Sequence, residues 1–248
     1  MITRRSLLVG SAAVAGTLAW AGTAQAAPRG SVTELRGGNL AVKVRTRAGW
    51  GANEDLRFKD GQEIWPLAYF KAQTLTVHHE GGGTGDDPAQ RVRNIYQLHA
   101  VDNGWGDIGY QLLIGRDGTI FEGRYSGTDC VPVFDTATSL NAVNAGHVVG
   151  YNAANIGICL LGNLSEVEPT AAALESLART AAVLCKRIGL DPLGTTDYVN
   201  PINGFAKTVP TMAVHRDWDA TTECPGTKLA PKLPQVRARV AEILRGRH

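Results

Sequence analysis

Histidine and cysteine are the residues of this chain whose chemistry is most informative. The sequence has only six histidines, and two of them, His78 and His215, each follow a short apolar and β-branched run that is typical of a buried strand. Cys224 follows His215 after a polar loop. Neutral imidazole and thiolate are ligands that zinc prefers, and a catalytic zinc site combines about three protein ligands with one open position. His78, His215 and Cys224 are therefore candidate zinc ligands, provided that the fold brings them together.

The residues alone leave a second interpretation open. A histidine is often a structural residue whose ring nitrogens are satisfied by neighbouring groups. The sequence also lacks a local zinc-binding pattern such as His-Glu-x-x-His, in which the spacing alone places two ligands on one helix face. Whether these residues form a zinc site or are structural depends on the strands and loops that position His78, His215 and Cys224.

Strands and helices alternate along the chain. Asp87-Pro88 is typical of a helix start, Asn103-Gly104 of a helix end, and Asp117-Gly118 of a hairpin turn. The predicted strands lie around residues 75–77 and at 110–114, 119–121, 154–161 and 211–214, and the predicted helices at 88–103, 169–188 and 234–244. This order predicts an α/β fold, a single domain with a central mixed β-sheet flanked by helices.

The composition argues against several classes of protein. The net charge of +2, without a cluster of Lys and Arg interleaved with aromatics, disfavours nucleic acid as a partner. No apolar run after residue 26 is long enough to span a membrane. Four cysteines are too few for a disulfide-built scaffold of this length. If Cys224 binds metal, at most one intramolecular disulfide can form among Cys130, Cys159 and Cys185, and the sequence leaves the pairing open.

The first residues are typical of an export signal. Arg4-Arg5 precedes a mildly apolar run from Leu7 to Ala21, which leads to the small-residue pattern Ala24-Gln25-Ala26. A membrane anchor is the alternative, but glycine and polar residues interrupt the run, which is shorter than the roughly 20 apolar residues that a span needs. We expect a twin-arginine signal peptide over residues 1–26 and a bacterial protein that is secreted or associated with the cell wall.

The rest of the chain divides near residue 45. Residues 27–45 contain Pro28 and several glycines with little periodicity, so we interpret them as a poorly anchored lead-in segment. Residues 46–248 are expected to form the domain, which is long enough to bury one sizeable core.

An ordered set of short motifs resembles one protein family. The motifs are Arg47-Ala-Gly-Trp-Gly-Ala52, Val77-His-His79, Gly104-Trp-Gly-Asp-Ile-Gly-Tyr110, Gly115-Arg-Asp-Gly-Thr-Ile-Phe-Glu-Gly-Arg124, Asn155-Ile-Gly-Ile158 with Leu161-Gly-Asn163, and Val214-His215 with Thr222-Glu-Cys-Pro-Gly226. Together they resemble the peptidoglycan recognition protein family, the type 2 N-acetylmuramoyl-L-alanine amidases, over roughly residues 45–245. The resemblance implies a peptidoglycan recognition protein / T7 lysozyme-like amidase fold and peptidoglycan as the partner.

The resemblance also implies a reaction and the residues that perform it. Catalytic members use one Zn²⁺ to hydrolyse the amide bond between N-acetylmuramic acid and L-alanine, and their ligands match His78, His215 and Cys224. Residues that lie beside the metal match Tyr110 and Thr222, and we expect both to donate hydrogen bonds to the tetrahedral oxyanion. Relatives that only bind peptidoglycan typically lack the cysteine, so Cys224 favours an enzyme.

Four further positions are implied contacts of the substrate: His79, Gly104, Trp105 and His147. In the family, Gly-Trp at the positions of Gly104 and Trp105 accompanies a preference for diaminopimelate-type stem peptides. We therefore expect diaminopimelate-type peptidoglycan or its muropeptides as the substrate.

Several residues are expected to be structural. Glu80 replaces the small Thr or Ser that usually follows the histidine pair, and we interpret it as a solvated turn residue, with a general base as the alternative. His99 lies on the apolar face of its predicted helix and is expected to pack in the core. The large aromatic residues Trp50, Trp65 and Trp105 are expected to be partly buried.

Two other functions are compatible with these features. A non-catalytic peptidoglycan-binding protein would have the same fold and groove without a working metal site. A zinc peptidase acting within the stem peptide would apply the same metal chemistry to a different bond.

Overall fold

The structure is a computed structural model that describes residues 30–83, 85, 87–127 and 131–246. The expected signal peptide, residues 1–26, lies outside the described residues, and so does Cys130. Within the described part of the chain, no helix has both the length and the apolar character needed to cross a membrane.

Along the described chain, runs of two to four short strands are separated by helices. The strands are β1 Val32–Gly37, β2 Leu40–Arg45, β3 Phe58–Lys59, β4 Gln62–Glu63, β5 Tyr69–Lys71, β6 Thr74–His79, β7 Leu112–Ile114, β8 Ile120–Glu122, β9 Asn141–Val143, β10 Asn155–Leu160, β11 Thr195–Val199, β12 Ala206–Pro210 and β13 Met212–Val214. The helices are α1 Arg47–Trp50, α2 Pro88–Gln97, α3 Ala171–Ile188, α4 His215–Trp218 and α5 Leu233–Leu244, with a π-helical turn at Leu98–Asp102 and 3₁₀ turns at Glu54–Arg57 and Ala230–Lys232.

A seven-stranded sheet in the order β1-β2-β8-β7-β10-β6-β13 forms the centre of the fold. Its pairs are both parallel and antiparallel, with β10, β6 and β13 running parallel to one another. One face packs against α3 and α5 through residues such as Val77 and Ile158, and the other face packs against α1 and α2 through residues such as Leu113 and Cys159. The predicted α/β fold with a central mixed sheet flanked by helices is confirmed.

The helix boundaries follow the expected capping chemistry. The Asp87 carboxylate accepts a hydrogen bond from the Ala89 N–H at 2.9 Å, and Pro88 is the first helical residue of α2. The π-helical turn then continues the coil as far as Asp102, close to the predicted end. Gly189 ends α3 in the left-handed conformation at φ 77°, as predicted.

The interpretation of residues 27–45 as a poorly anchored lead-in was wrong for residues 32–45. These residues form β1 and β2, an antiparallel pair at one edge of the central sheet. Leu35 and Val44 are fully buried and contribute to the core against α3. Gly37, one of the glycines that suggested a loop, serves this packing, since a Cβ at this position would lie 2.0 Å from the Val183 carbonyl oxygen of α3.

Two cysteines fill apolar positions. Cys159 and Cys185 are buried free thiols, so no disulfide joins them. Both act as small apolar side chains in the two core clusters.

Strand β1 provides a test of this edge of the sheet. We expect Leu35→Ala to lower the free energy of unfolding by about 2–5 kcal/mol, because it removes a fully buried side chain from the core. Val32→Ala, on the same strand but 53% exposed, is expected to change it by less than about 0.5 kcal/mol. Equilibrium urea unfolding of the two variants measures the difference, and equal effects would contradict the assignment of β1 to the core.

Candidate metal centre and groove

Parallel pairing of β6 and β13 brings His78 and His215 together. Val214 pairs with Val77 in the register, so the next residues of the two strands, His215 and His78, emerge at the same level. Their ring centroids are 4.7 Å apart. Since side chains alternate across a strand, His78 lies on the face opposite Val77 and avoids the α3–α5 core.

Helix α4 holds His215 in place just beyond the strand. The Asp217 carboxylate accepts a hydrogen bond from the Val214 N–H at 2.8 Å and closes the turn in which His215 begins the helix. At the end of α4, the Trp218 indole N–H donates to the Thr76 hydroxyl of β6 at 2.8 Å. The helix is therefore fastened to the strand that carries the other histidine.

The loop after α4 brings Cys224 to the two histidines. The Arg216 Nε donates to the Cys224 carbonyl at 3.3 Å, and the His79 N–H donates to the Cys224 Sγ at 3.4 Å. These contacts leave the Sγ 3.6 Å from Nδ1 of His78. His78, His215 and Cys224 thus offer one ligand atom each, and all three atoms lie within 4.8 Å of one another.

This donor set fits a tetrahedral zinc ion. With Zn–S of about 2.3 Å and Zn–N of about 2.0–2.1 Å, tetrahedral geometry separates sulfur and nitrogen ligands by about 3.6 Å, close to the observed distance. Burial, together with the neighbouring His147 and His215, lowers the pKa of His78 well below its usual range, and burial also lowers the pKa of His215. Both rings are therefore neutral at pH 7, with lone pairs available for a cation.

The Cys224 thiol needs a cation to become a thiolate. Burial raises the pKa of this thiol to about 12, although the His79 N–H and Arg216 act in the opposite direction. Metal binding displaces the proton of a cysteine ligand, so the thiolate forms as the cation binds.

An open groove with a volume of about 540 Å³ lies beside the ligand atoms of His78, His215 and Cys224. Five residues proposed from the sequence line it, namely Gly104, Trp105, Tyr110, His147 and His215. The Tyr110 ring lies beside His78, with 5.3 Å between the ring centroids. Burial and the nearby thiols of Cys159 and Cys224 raise the pKa of Tyr110, so the phenol remains a proton donor.

The two remaining candidates lie around the Cys224 loop. The Thr222 hydroxyl oxygen accepts a hydrogen bond from the Cys224 N–H at 3.2 Å, which places Thr222 against the ligand loop. The half-buried His79 points away from the three candidate metal ligands, and its Nδ1 accepts a hydrogen bond from the Leu164 N–H at 3.0 Å.

The expected core position of His99 was wrong. Its ring is only half-buried and lines the groove between Trp105 and Tyr110, at centroid distances of 4.9 and 5.6 Å. The Gly109 N–H donates to its Nδ1 at 3.0 Å. Trp50 is buried, and Trp105, which is 39% exposed and lines the groove, is partly buried as expected.

The interpretation of Glu80 as a solvated turn residue was also wrong. Its side chain is 12% exposed and forms an ion pair with Arg91 of α2. The same carboxylate accepts a hydrogen bond from the Gly162 N–H at 3.0 Å. Glu80 therefore ties the end of β6 to α2 and to the loop after β10.

A buried charged cluster supports the far wall of the groove. The Asp107 carboxylate is fully buried and accepts hydrogen bonds from Arg47 at 2.8 Å and Arg124 at 2.6 Å. Burial alone would raise the pKa of Asp107, but the two guanidinium groups outweigh it and hold the pKa below its usual range. Arg124 also donates to the Trp65 carbonyl at 2.6 Å and lies over the Trp65 ring, which lines the groove. Sequence reasoning missed this cluster, although Asp107 and Arg124 lie inside two of the quoted motifs.

Known proteins that are similar to this chain are named as N-acetylmuramoyl-L-alanine amidases or as peptidoglycan recognition proteins. The family profile described as N-acetylmuramoyl-L-alanine amidase matches residues 69–227. The human N-acetylmuramoyl-L-alanine amidase is 32% identical over 102 residues, which are 41% of this chain and only 15% of that protein. Peptidoglycan-recognition protein SC2 of Drosophila simulans is 31% identical over 193 residues, which are 77% of this chain and 84% of that protein.

A solved structure shares the fold. Peptidoglycan recognition protein-LE, in complex with tracheal cytotoxin, a monomeric diaminopimelic acid-type peptidoglycan, superposes with a TM-score of 0.53. The superposition covers 77% of this chain and 92% of that one at 23% identity.

Proposed function

Because the chain belongs to the N-acetylmuramoyl-L-alanine amidase family, we propose that it is a zinc-dependent hydrolase that cleaves the amide bond between N-acetylmuramic acid and L-alanine of peptidoglycan. The observation that carries the proposal is the convergence of His78, His215 and Cys224 at the groove. A peptidoglycan-binding protein that lacked catalysis would have no need of a thiol at this position.

The three ligand residues would hold the zinc ion with one position facing the groove. Zinc bound there would supply a Lewis acid that polarises the scissile carbonyl and activates water at neutral pH. The two neutral imidazoles and one thiolate leave a net positive charge of one on such a site, which favours the developing negative charge of the reaction.

Tyr110 and Thr222 are the proposed hydrogen-bond donors to the oxyanion. The Tyr110 phenol stays protonated beside His78. The Thr222 oxygen already accepts from the Cys224 N–H, so its own proton is available for another acceptor. Donors fixed in this way stabilise charge that develops in the transition state.

The groove supports a peptide-bearing substrate. Aromatic rings of Trp65, Trp105 and His99 line the groove. These rings offer flat apolar surface, while a metal held beside the groove would position the bond to be cleaved.

The decisive experiment is digestion of purified sacculi with and without a chelator. We expect the zinc-loaded chain to release stem peptides with new L-alanine amino termini and to leave the glycan intact. Removing the metal, or replacing a ligand in Cys224→Ser, is expected to reduce the release of stem peptides to the level of the buffer control. Added zinc is expected to restore this activity in the chelator-treated wild type but not in Cys224→Ser.

Each alternative function has its own outcome in this digestion. New amino termini within the stem peptide would identify a peptidase. No release by the zinc-loaded wild type, together with retention of the protein on sacculi, would identify a binding protein and refute the amidase. Thermal unfolding of Cys224→Ser serves as the control for its folding.

The oxyanion donors are tested by single substitutions. Tyr110→Phe and Thr222→Ala are each expected to lower kcat by about 10²–10³-fold with little change in KM, because the hydrogen bond is made in the transition state. Tyr96→Phe is the matched control, since the Tyr96 hydroxyl donates to the Asn53 carbonyl and lies outside the groove. Wild-type rates for both site variants would remove these residues from the mechanism.

We further propose that the substrate is diaminopimelate-type peptidoglycan, a preference supported by Gly104 and Trp105 in the groove wall. The expected preference in kcat/KM over lysine-type muropeptides is about tenfold or more. The double variant Gly104→Asn/Trp105→Phe is expected to reduce that preference. Asn tolerates the left-handed conformation of Gly104, at φ 71°, better than most residues, so the backbone should be retained. Equal rates of the wild type on the two muropeptide types would contradict the proposal.

A further inference from the structure

A chain of hydrogen bonds runs from a backbone carbonyl through the rings of His147 and His78 to Cys224, one of the candidate metal ligands. The His147 Nε2 lies 3.1 Å from the carbonyl oxygen of Asn155, and its Nδ1 lies 3.0 Å from Nε2 of His78. The other nitrogen of His78, Nδ1, lies 3.6 Å from the Cys224 Sγ. Both histidine rings are buried.

The carbonyl group determines the direction of this chain. A carbonyl oxygen can only accept, so Nε2 of His147 must carry its proton. A neutral imidazole has one N–H, and the buried His147 therefore presents a lone pair at Nδ1. The His78 Nε2 must then be the donor to His147, which leaves the lone pair of His78 on Nδ1, the nitrogen that faces Cys224.

The carbonyl itself is held in place. Gln111 donates to the Asn155 carbonyl at 3.2 Å and accepts from the Gly157 N–H at 2.6 Å. Gly157 also leaves room for the imidazole, because a Cβ at this position would lie 2.7 Å from Cγ and Cδ2 of His147. The backbone of β10 thus fixes both the position of His147 and its proton.

We propose that His147 is a positioning residue that sets the tautomer and the ring orientation of His78, so that His78 binds the metal through Nδ1. This inference rests on the proposed zinc site. A partner behind a histidine ligand commonly sets its tautomer, and loss of such a partner typically lowers metal affinity by about 10–100-fold. The expected role of His147 as a substrate contact changes accordingly: both ring nitrogens are engaged inside the protein, so only ring carbons remain for a ligand in the groove.

The test is zinc affinity, measured on the full chain by competition with a chelator. His147→Leu removes the acceptor behind His78 at similar volume and is expected to weaken zinc binding by about 10–100-fold. His147→Gln is expected to restore part of the loss, because an amide can accept from His78 and donate to the Asn155 carbonyl. His99→Gln is the matched control, a groove histidine with no hydrogen bond to a ligand residue in the described structure, and is expected to leave zinc affinity unchanged.

A second measurement reads the tautomer directly and does not depend on any variant. Long-range proton–nitrogen correlation spectra of the wild type are expected to show His78 protonated at Nε2, both without metal and with zinc. A proton at Nδ1 of His78, or zinc bound through Nε2, would overturn the inference even if His147→Leu failed to fold.

The outcomes separate this inference from the function on which it rests. Tight zinc binding by the wild type and equally tight binding by His147→Leu would overturn the role of His147 and leave the amidase proposal intact. A wild type that binds no zinc would refute both.

Discussion

The structure of the site depends on the parallel pairing of β6 with β10 on one side and with β13 on the other. This pairing sets His78 level with His215 and brings both next to the loop that carries Cys224. Because side chains alternate across a strand, a slip by one residue would turn His78 into the α3–α5 core and Val77 towards the groove. Burial of the apolar face of β6 thereby fixes the strand register that the three candidate metal ligands require. The same register serves both the packing of the core and the geometry of the site.

Burying so many polar groups beside a groove is costly unless each has a partner. The Asp107 carboxylate meets two guanidinium groups, Glu80 meets Arg91, and the two buried imidazoles of His78 and His147 satisfy each other and the Asn155 carbonyl. These groups are therefore satisfied within the protein, while the ligand atoms of His78, His215 and Cys224 converge on a position that a cation can fill.

Features that depend on interactions between neighbours in the chain could be predicted from the sequence, whereas features that depend on contacts across the fold could not. Caps and strands depend on neighbours in the chain, which is why Asp87-Pro88 and the runs before His78 and His215 were interpreted correctly. The pairing of β1 with β2 against α3 was missed, because glycines such as Gly37 signal a loop unless the close approach of a helix is known. The roles of His99 and Glu80 depend on contacts made across the fold, with Trp105 and Gly162 among others, and no local pattern reports them.

The ligand set itself shows the same division. His78 and His215 sit on strands or immediately beyond them, and both could be proposed from strand patterns. Cys224 was proposed only from a polar loop that follows His215, and the resemblance to a family strengthened that proposal. A thiol buried near two imidazoles stays protonated until a cation arrives. Its loop is held by hydrogen bonds from the Arg216 side chain and the His79 N–H that do not need the metal. Two rigid neutral nitrogens and one sulfur that ionises only on binding make a site that favours a soft or borderline cation over calcium or magnesium, which prefer oxygen ligands.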